Sequence, residues 1–255
     1  NGTRDIWIEG LSVRNTKFGL AGNGADRIVV RGCHFYDNDY GITAAKYSDE
    51  TPQTDWLIAD NRFEGQSTWP RSKGIEDTRG VQINGLGNIV CYNFIRGFAD
   101  GVDTFQGDEC SAIDIYGNEI DGMTDDGIET DYSQQNVRVF RNRMTNVYQG
   151  ITMQPTFAGP VYIFRNVMYN VCVETFKMHE APSGCLMFHN TSVKQGIPLI
   201  MNGTKPVTHF VSRNNIFIGT PGDWFCYENT AKLVDCDFDY DGFGAGEYSA
   251  FMKLN

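Results

Sequence analysis

Hydrophobic and polar residues alternate in short runs that recur about every 24 residues along the chain. Residues 113–120, 137–144 and 161–168 are three such runs, each with alternating apolar positions, a polar corner and a further apolar position. Alternation of this kind is typical of half-buried strands. The pattern predicts short strands joined by tight corners. It also predicts two interior columns of apolar side chains: Ile113, Val137 and Val161, and Ile115, Val139, Ile163 and Met187.

An asparagine marks the same corner in successive runs. It occurs at Asn61, Asn93, Asn118, Asn142, Asn166, Asn190 and Asn214, and the last five steps are 25, 24, 24, 24 and 24 residues. Leu11 and Cys33 occupy the same position upstream, which gives about nine coils. A period in this range indicates a repeat architecture. The sequence therefore predicts an all-β, single-stranded parallel β-helix, a solenoid of about nine coils, in which the asparagines hydrogen-bond from coil to coil.

Two further columns flank the asparagines. The aromatic column contains Tyr116, Phe140, Phe164 and Phe188. The polar column contains Arg141, Arg165, His189 and Arg213. Stacked like charges repel one another unless they are paired or bound to a ligand. We expect the arginines to pair with neighbouring carboxylates, and the alternative is contact with an anionic saccharide.

A second short strand follows a glycine in five coils, at Gly41, Gly80, Gly101, Gly127 and Gly150. Alternate residues of such a strand should face solvent, so the coils can be aligned in columns. The position before the glycine holds Tyr40, Arg79, Asp100, Asp126 and Gln149. The first outward column holds Thr43, Gln82, Asp103, Glu129, Thr152 and, after one inserted residue, Lys177. The next outward column holds Ala45, Asn84, Phe105, Asp131, Gln154 and His179.

Five carboxylates gather on two adjacent coils in this alignment. They are Asp100, Asp103, Asp125, Asp126 and Glu129, with Asp131 at the margin. Crowded carboxylates repel, so at least one should keep its proton near neutral pH, or the group should hold a cation. The first property suits a general acid and the second a calcium site. The structural alternative is that Asp100 and Asp126 are corner residues, because Asp-Gly is a common turn pair.

Composition narrows the classes of partner. The 255 residues carry a net charge of −11, which argues against nucleic acid, because phosphate binding needs clustered lysine and arginine. No apolar run reaches the roughly 18 residues that predict a membrane span. An acidic surface fits a secreted protein that acts on neutral polymers, or on anionic ones through a bridging cation. The seven cysteines lack CxxC spacing and indicate neither a zinc site nor a disulfide framework.

The repeats resemble those of the right-handed parallel β-helix proteins of the pectate-lyase-like superfamily. The resemblance covers roughly residues 5–220 and rests on the Asn-x-apolar and Asp-Gly-Ile/Val repeats described above. It implies a right-handed solenoid and a carbohydrate-active protein that is extracellular or periplasmic, with a polysaccharide or oligosaccharide as its partner. We expect one β-helix domain over residues 1–255, with an irregular segment over 220–255.

The ends of the chain lack the expected covers. Members of this superfamily usually cap the first coil, since an open edge invites pairing, but here the chain enters a strand at Asp5-Ile6-Trp7-Ile8-Glu9 without an amphipathic helix. We therefore expect an oligomer, or chain segments outside this sequence, to cover the open ends.

The acidic residues show a weaker resemblance to polygalacturonase-type glycoside hydrolases. Those enzymes carry Asn-Thr-Asp-Gly, then Asp-Asp on the next coil, then His-Gly and Arg-Ile-Lys. This chain has Ala99-Asp100-Gly101-Val102-Asp103 and, about one coil later, Thr124-Asp125-Asp126-Gly127-Ile128, followed by Thr175-Phe176-Lys177. Gln149-Gly150 replaces His-Gly and Ala99 replaces a polar residue, which puts a galacturonan substrate in doubt.

A glycoside hydrolase is the favoured prediction. Asp126 or Asp125 would protonate the leaving oxygen, and Asp100 or Asp103 would activate water, with Glu129 in the same group. Lys177 and the expected substrate-binding residues Asn84, Asp131, Gln154 and His179 would hold the sugar. We expect inversion of configuration, because carboxylates placed diagonally across coils lie farther apart than the coil spacing of about 4.8 Å. No cofactor is required.

Two alternatives use the same residues. In a polysaccharide lyase, Asp103, Asp126 and Glu129 would bind Ca²⁺, and Lys177, with a lowered pKa, would abstract a proton from the sugar. In a non-catalytic carbohydrate-binding or tailspike-like shaft, the acids would hold structural ions. An unsaturated product that disappears with a chelator would distinguish the lyase, and binding without turnover would distinguish the shaft.

Overall fold

The chain forms a parallel β-solenoid of about nine turns. The computed structural model describes residues 2–44, 53–72, 74–104, 110–157, 159–201, 203, 205–220, 222–228, 232–244 and 248–254. Strands and turns account for these residues, and no α-helix occurs among them. In this part of the chain there is accordingly no helix long and apolar enough to cross a membrane. The predicted all-β fold is confirmed, and the solenoid is consistent with a right-handed β-helix.

Two long parallel sheets run along the solenoid. The first sheet contains, in spatial order, β1 (Arg4–Glu9), β4 (Asp26–Arg31), β7 (Leu57–Ala59), β10 (Ile89–Cys91), β13 (Asp114–Tyr116), β15 (Val137–Phe140), β17 (Val161–Phe164), β20 (Cys185–Phe188), β24 (Val211–Arg213) and β28 (Asp237–Asp239). The main path of the second contains β2 (Ser12–Arg14), β5 (His34–Tyr36), β8 (Arg62–Glu64), β11 (Phe94–Arg96), β14 (Glu119–Glu129), β16 (Arg143–Thr152), β18 (Val167–Val171), β21 (Thr191–Lys194), β25 (Ile216–Ile218) and β29 (Gly242–Gly244).

Five further strands extend the second sheet, and the first four of them contain a glycine. They are β3 (Phe18–Gly22), β6 (Tyr40–Ala44), β9 (Arg79–Ile83), β12 (Asp100–Asp103) and β19 (Phe176–Lys177). Two small parallel sheets complete the fold: β22 (Leu199–Met201), β26 (Gly222–Glu228) and β30 (Tyr248–Leu254), and β23 (Val207–Thr208) with β27 (Leu233–Val234). The segment after residue 220, expected to be irregular, thus contains strands, and β28 and β29 continue the two long sheets.

The predicted apolar columns fill the interior. Ile115, Val139, Ile163 and Met187 are in register on successive strands and are fully buried, as are Ile113, Val137 and Val161. Alternate residues of a strand face opposite sides, so each coil contributes side chains to one continuous core.

The asparagine ladder is present, with one correction. Each side-chain oxygen accepts from the backbone N–H and the side-chain amide of the preceding asparagine, at 2.9–3.0 Å for Asn61 to Asn93. The ladder passes from Asn190 to Asn215 and ends on the carboxylate of Asp241. Asn214, the predicted member, instead has a left-handed backbone (φ 57°) at the preceding corner. This coil has one extra residue, so the 24-residue period selected the wrong one of two adjacent asparagines.

The same extra residue changes the flanking columns. Phe188 aligns with Arg213, so Arg213 continues the aromatic column and not the polar one. The rings of Tyr116, Phe140 and Phe164 stack with centroids 4.8 and 4.9 Å apart. Arg213 pairs with Asp237.

Candidate active site

The register of the strands brings the predicted acidic residues together. Asp103 on β12 aligns with Gln82 on one side and with Glu129 on the other. The same column continues through Thr152 to Lys177, so the predicted inserted residue is confirmed. Within the neighbouring column, the backbone N–H of Asp126 donates to Oδ1 of Asp100 over 3.1 Å.

A β-bulge in β14 places two consecutive carboxylates at one site. Met123 aligns with Val147 and Asp126 with Gln149, so β14 has one more residue than β16 across this step. A bulge of this kind re-aims side chains that would otherwise alternate between faces. As a result, Asp100, Asp125 and Asp126 each present a carboxylate oxygen within 4.8 Å of the other two.

The acidic residues are buried, although the sequence predicted that they would face solvent. Asp100, Asp103 and Asp126 are only 5%, 1% and 2% exposed. Asp125 is the more accessible member of the group, with 14% of its side chain exposed. Cationic side chains lie against Asp100, Asp103 and Asp126, and alignment of the columns does not reveal this cover.

Arg79 and Lys177 neutralise part of the acidic group. Nε of Arg79 donates to Asp103 and lies 3.6 Å from Oδ2 of Asp100. Nζ of Lys177 donates to Oδ2 of Asp126 over 3.4 Å. The other oxygen of Asp126, Oδ1, is buried and has no hydrogen-bond partner among the described residues, which leaves an acceptor directed into the site.

Arg71 approaches the acidic group from a segment without any repeat pattern. Its guanidinium lies 3.7 Å from the ring centroid of Tyr148, donates to the carbonyl oxygen of Thr124 and lies 4.0 Å from Asp125. A cation held over an aromatic face in this way has few orientations open to it. Arg71 therefore adds a positive charge beside Asp125, together with Lys177.

Burial raises the pKa values of the three clustered carboxylates. Burial, reinforced by the charge of Asp103, raises the pKa of Asp100 from 3.8 to about 8. Burial also raises the pKa of Asp126 well above its usual range, although Lys177 opposes the shift. The pKa of Asp125 is raised by burial and only partly offset by Lys177 and Arg71. These shifts favour retained protons near neutral pH, one of the two alternatives that the sequence left open.

The pKa of Lys177 moves in the direction opposite to the lyase hypothesis. Burial alone would lower it, but the charges of Asp126, Asp131 and other nearby carboxylates outweigh burial and raise it. A lysine with a raised pKa stays protonated and is a poor base. The lowered pKa expected for a catalytic lysine is therefore wrong.

Glu129 and Asp131 form the adjoining edge of the site. Burial and the charges of Asp103 and Asp131 raise the pKa of Glu129 to about 12, so that it is neutral. Oδ1 of Asp131 accepts from the hydroxyl of Thr152 and the backbone N–H of Gln154, and burial raises the pKa of Asp131 to about 6.

The predicted substrate-binding residues differ in accessibility. Asn84 and Asp131 are almost fully buried, whereas Gln154 and His179 are half-buried. Nε2 of His179 lies 3.4 Å from the buried carboxylate of Glu174. Ala45 and Phe105, of the same predicted column, lie outside the described residues.

The structure brings together a different carboxylate trio from the predicted calcium ligands. Asp103 and Asp126, two of those three residues, already bind Arg79 and Lys177, and Glu129 is neutral. Calcium takes about six to eight oxygen ligands and prefers ionised carboxylates. Asp103, Asp126 and Glu129 therefore fit calcium poorly, whereas Asp100, Asp125 and Asp126 have the spacing for a shared ion or a shared proton.

Three residues of the site were not predicted from the sequence to be functional: Arg79, Glu174 and Arg71. Arg79 stood in an aligned column, but its charge was not connected with the acids. The backbone N–H of Gly150 donates to the carbonyl oxygen of Glu174, which aligns Glu174 with Gln149. In this coil Thr175 stands where the other coils have the repeated glycine. Arg71 follows no period, so no alignment of coils would have found it.

Comparison with known protein families, with curated proteins and with solved structures finds no match to this chain. The function must therefore be argued from the site itself.

Proposed function

We propose that this protein is a carbohydrate-active enzyme that hydrolyses glycosidic bonds of a polysaccharide through Asp100, Asp125 and Asp126. The observation that carries the proposal is the meeting of these three carboxylates within 4.8 Å, next to Lys177 and Arg79. Acid-catalysed glycoside cleavage requires one protonated and one ionised carboxyl group at the same bond. Extracellular or periplasmic location is part of the same proposal.

Asp125 is suited to be the general acid. It is the most exposed of the three, and burial raises its pKa, although the charges of Lys177, Arg71 and Arg79 oppose the shift. Asp126 and Asp100 lie beside Lys177 and Arg79, whose charges favour the ionised form. Burial still raises the pKa of both, so the base is whichever of the two is ionised while the other keeps its proton, and that carboxylate would orient and deprotonate water. Asp103 is engaged by Arg79 and Gln82.

The stereochemical outcome depends on which carboxylates act. Inverting hydrolases separate the two carboxyl groups by about 6.5–9.5 Å to admit water, and retaining enzymes by about 5–5.5 Å. The three clustered residues lie closer than the inverting range, so the geometric reason for expecting inversion does not apply to them. The anomer released can be identified by proton NMR within the first minutes of reaction.

A panel of neutral and acidic polysaccharides, each with and without EDTA, tests the proposal. We expect new reducing ends without unsaturated product, in the presence of the chelator as well. Asp125→Asn should lower the rate by roughly 10²-fold or more, which is the usual contribution of a general acid. Glu119→Gln, an exposed carboxyl on the same strand, should leave the rate unchanged.

Three outcomes would contradict the proposal. Ultraviolet-absorbing unsaturated ends would identify a lyase, with a base other than Lys177. Binding of an oligosaccharide that is never cleaved would identify a non-catalytic shaft. Full activity of Asp125→Asn would remove Asp125 from the role of acid.

A further inference from the structure

A groove lined by arginines and apolar side chains lies on the solenoid, away from the acidic residues. It has a volume of about 480 Å³, and its lining includes Arg141, Arg143, Thr145, Arg165, Val167 and Tyr169. These residues belong to the corners and first halves of β16 and β18, whereas the acidic group meets β16 at Gln149–Thr152. The groove is therefore separate from the site of the proposed hydrolysis and does not depend on it.

The three arginines of this groove make no ion pair with a described residue, contrary to the pairing that the sequence predicted for Arg141 and Arg165. No carboxylate of the described chain lies within 4.0 Å of Arg141, Arg143 or Arg165, although the protein has 32 acidic residues. Several arginines on other corners and strands are paired, as Arg27 is with Asp5 and Arg138 with Asp114. The solenoid thus places three guanidinium groups near one another with no ion pair to a described carboxylate, although Glu119 aligns with Arg143 on the preceding strand. Like charges placed together are unfavourable unless an anion joins them.

The arrangement suits an anion with several oxygens. Arg141 and Arg165 occupy equivalent corners of consecutive coils, which are about 4.8 Å apart in a parallel sheet, and Arg143 aligns with Val167 at the start of the adjoining strand. Each guanidinium can donate two parallel hydrogen bonds to an oxyanion. Three of them offer more donors than one carboxylate can accept, and a sulfate ester has three terminal oxygens.

Apolar side chains complete the groove. Val167 and Tyr169 are 48% and 58% exposed beside the arginines. An exposed aromatic face with a polar neighbour is suited to the apolar face of a sugar ring. We propose that this groove binds the sulfate ester groups of a sulfated polysaccharide, with Arg141, Arg143 and Arg165 as the ligands of sulfate.

Phosphate polymers fit less well. A phosphodiester has only two free oxygens, and binding to nucleic acid depends on many positive charges along one face. The net charge of −11 opposes long polyanions of both kinds, so the choice between them rests on the third terminal oxygen of the sulfate ester.

The proposal that the groove binds sulfate esters is tested with three polymers that share the dextran backbone and differ in their substituent. They are dextran sulfate, carboxymethyl dextran and unmodified dextran, and the binding of each to the intact chain is measured by calorimetry. We expect dextran sulfate to bind, more weakly as salt is added, and the other two to bind at least about tenfold less tightly. Arg141→Gln with Arg165→Gln should weaken binding of dextran sulfate by about tenfold or more, because charge-assisted hydrogen bonds are lost. Arg143→Gln alone should have a smaller effect in the same direction.

Arg14→Gln with Lys17→Gln is the matched control, because it removes the same charge from exposed positions on the first coils. It should leave binding within about twofold of the parent protein. Equal affinity of the parent and the double arginine variant, with unchanged melting curves, would overturn the site. Carboxymethyl dextran or a thymidine oligonucleotide binding as tightly as dextran sulfate would overturn the assignment to sulfate.

Discussion

The side-chain amide of each ladder asparagine replaces hydrogen bonds that a tight corner leaves open. Asn142, which is buried, donates to the carbonyl oxygen of Ile115 and to Oδ1 of Asn166, while its own Oδ1 accepts from the backbone and side chain of Asn118. Removing such a side chain leaves several buried polar groups without partners, and each of these costs about 1–3 kcal/mol. Asparagine is required here for its two-sided hydrogen bonding.

Two adjacent asparagines allow a sharp test of this role. Asn215→Ala should lower the free energy of unfolding by about 3 kcal/mol, because Met187, Asn190 and Asp241 each lose a partner. Asn214→Gly should change it by less than about 1 kcal/mol, because glycine readily adopts the left-handed backbone found there. Urea unfolding of both variants measures the difference. If Asn214→Gly lowered the free energy of unfolding more than Asn215→Ala, the ladder would follow the regular 24-residue period and contain Asn214.

At the scale of the strand, the repeated glycine is required for close approach between coils. A Cβ on Gly101 would lie 2.4 Å from the carbonyl oxygen of Gly127, and one on Gly127 would lie 2.8 Å from that of Gly150. These glycines do not have positive φ and lie within strands. The aspartates before them are therefore strand residues directed into the site and not turn residues, which answers the structural alternative for Asp100 and Asp126.

Gly127→Ala should therefore destabilise the protein. Its Cβ would meet Sδ of Met144 at 2.7 Å as well as the carbonyl oxygen of Gly150, and overpacking of this kind costs about 1–3 kcal/mol. Gly74→Ala is the control, because a Cβ there has nothing within 4 Å and the backbone needs no positive φ. Melting temperatures compare the two, and equal values would show that the coils can separate without cost.

The element scale also shows what the sequence could predict. Strand columns follow from alternation and period, so the alignment of Asp103, Glu129, Thr152 and Lys177 was predictable even with an inserted residue. The bulge in β14 was not predicted, because an extra residue changes the spacing of the repeats without showing that it brings two consecutive aspartates to one site. The burial of the acids depends partly on Arg71, whose position is set by tertiary contacts with Tyr148 and Thr124.

For the whole molecule, the buried acids make stability depend on pH. Burial raises the pKa of Asp100 from 3.8 to about 8, and those of Asp126 and Glu129 also rise. Between the unfolded and folded values, the folded protein binds more protons than the unfolded chain, so the free energy of unfolding falls as the pH rises. The acidic group thus reduces stability most on the alkaline side.

We expect the free energy of unfolding to decrease from about pH 4 to about pH 8, the interval set by Asp100. Asp100→Asn should make this decrease shallower, because the amide never ionises, whereas Glu119→Gln at an exposed position should not. Urea unfolding at a series of pH values measures the slope. An unchanged slope in Asp100→Asn would show that Asp100 is ionised throughout in the folded protein.

The division of the acidic group between coils has a consequence for how this gene can change length. Asp100 lies on one coil, and Asp125 and Asp126 lie on the next. Duplication of a coil anywhere else would lengthen the protein and preserve the ladder and the carboxylate trio. Duplication between β12 and the second half of β14 would separate the trio by a full coil. The spacing between those two segments is therefore where natural variation in length should be least tolerated.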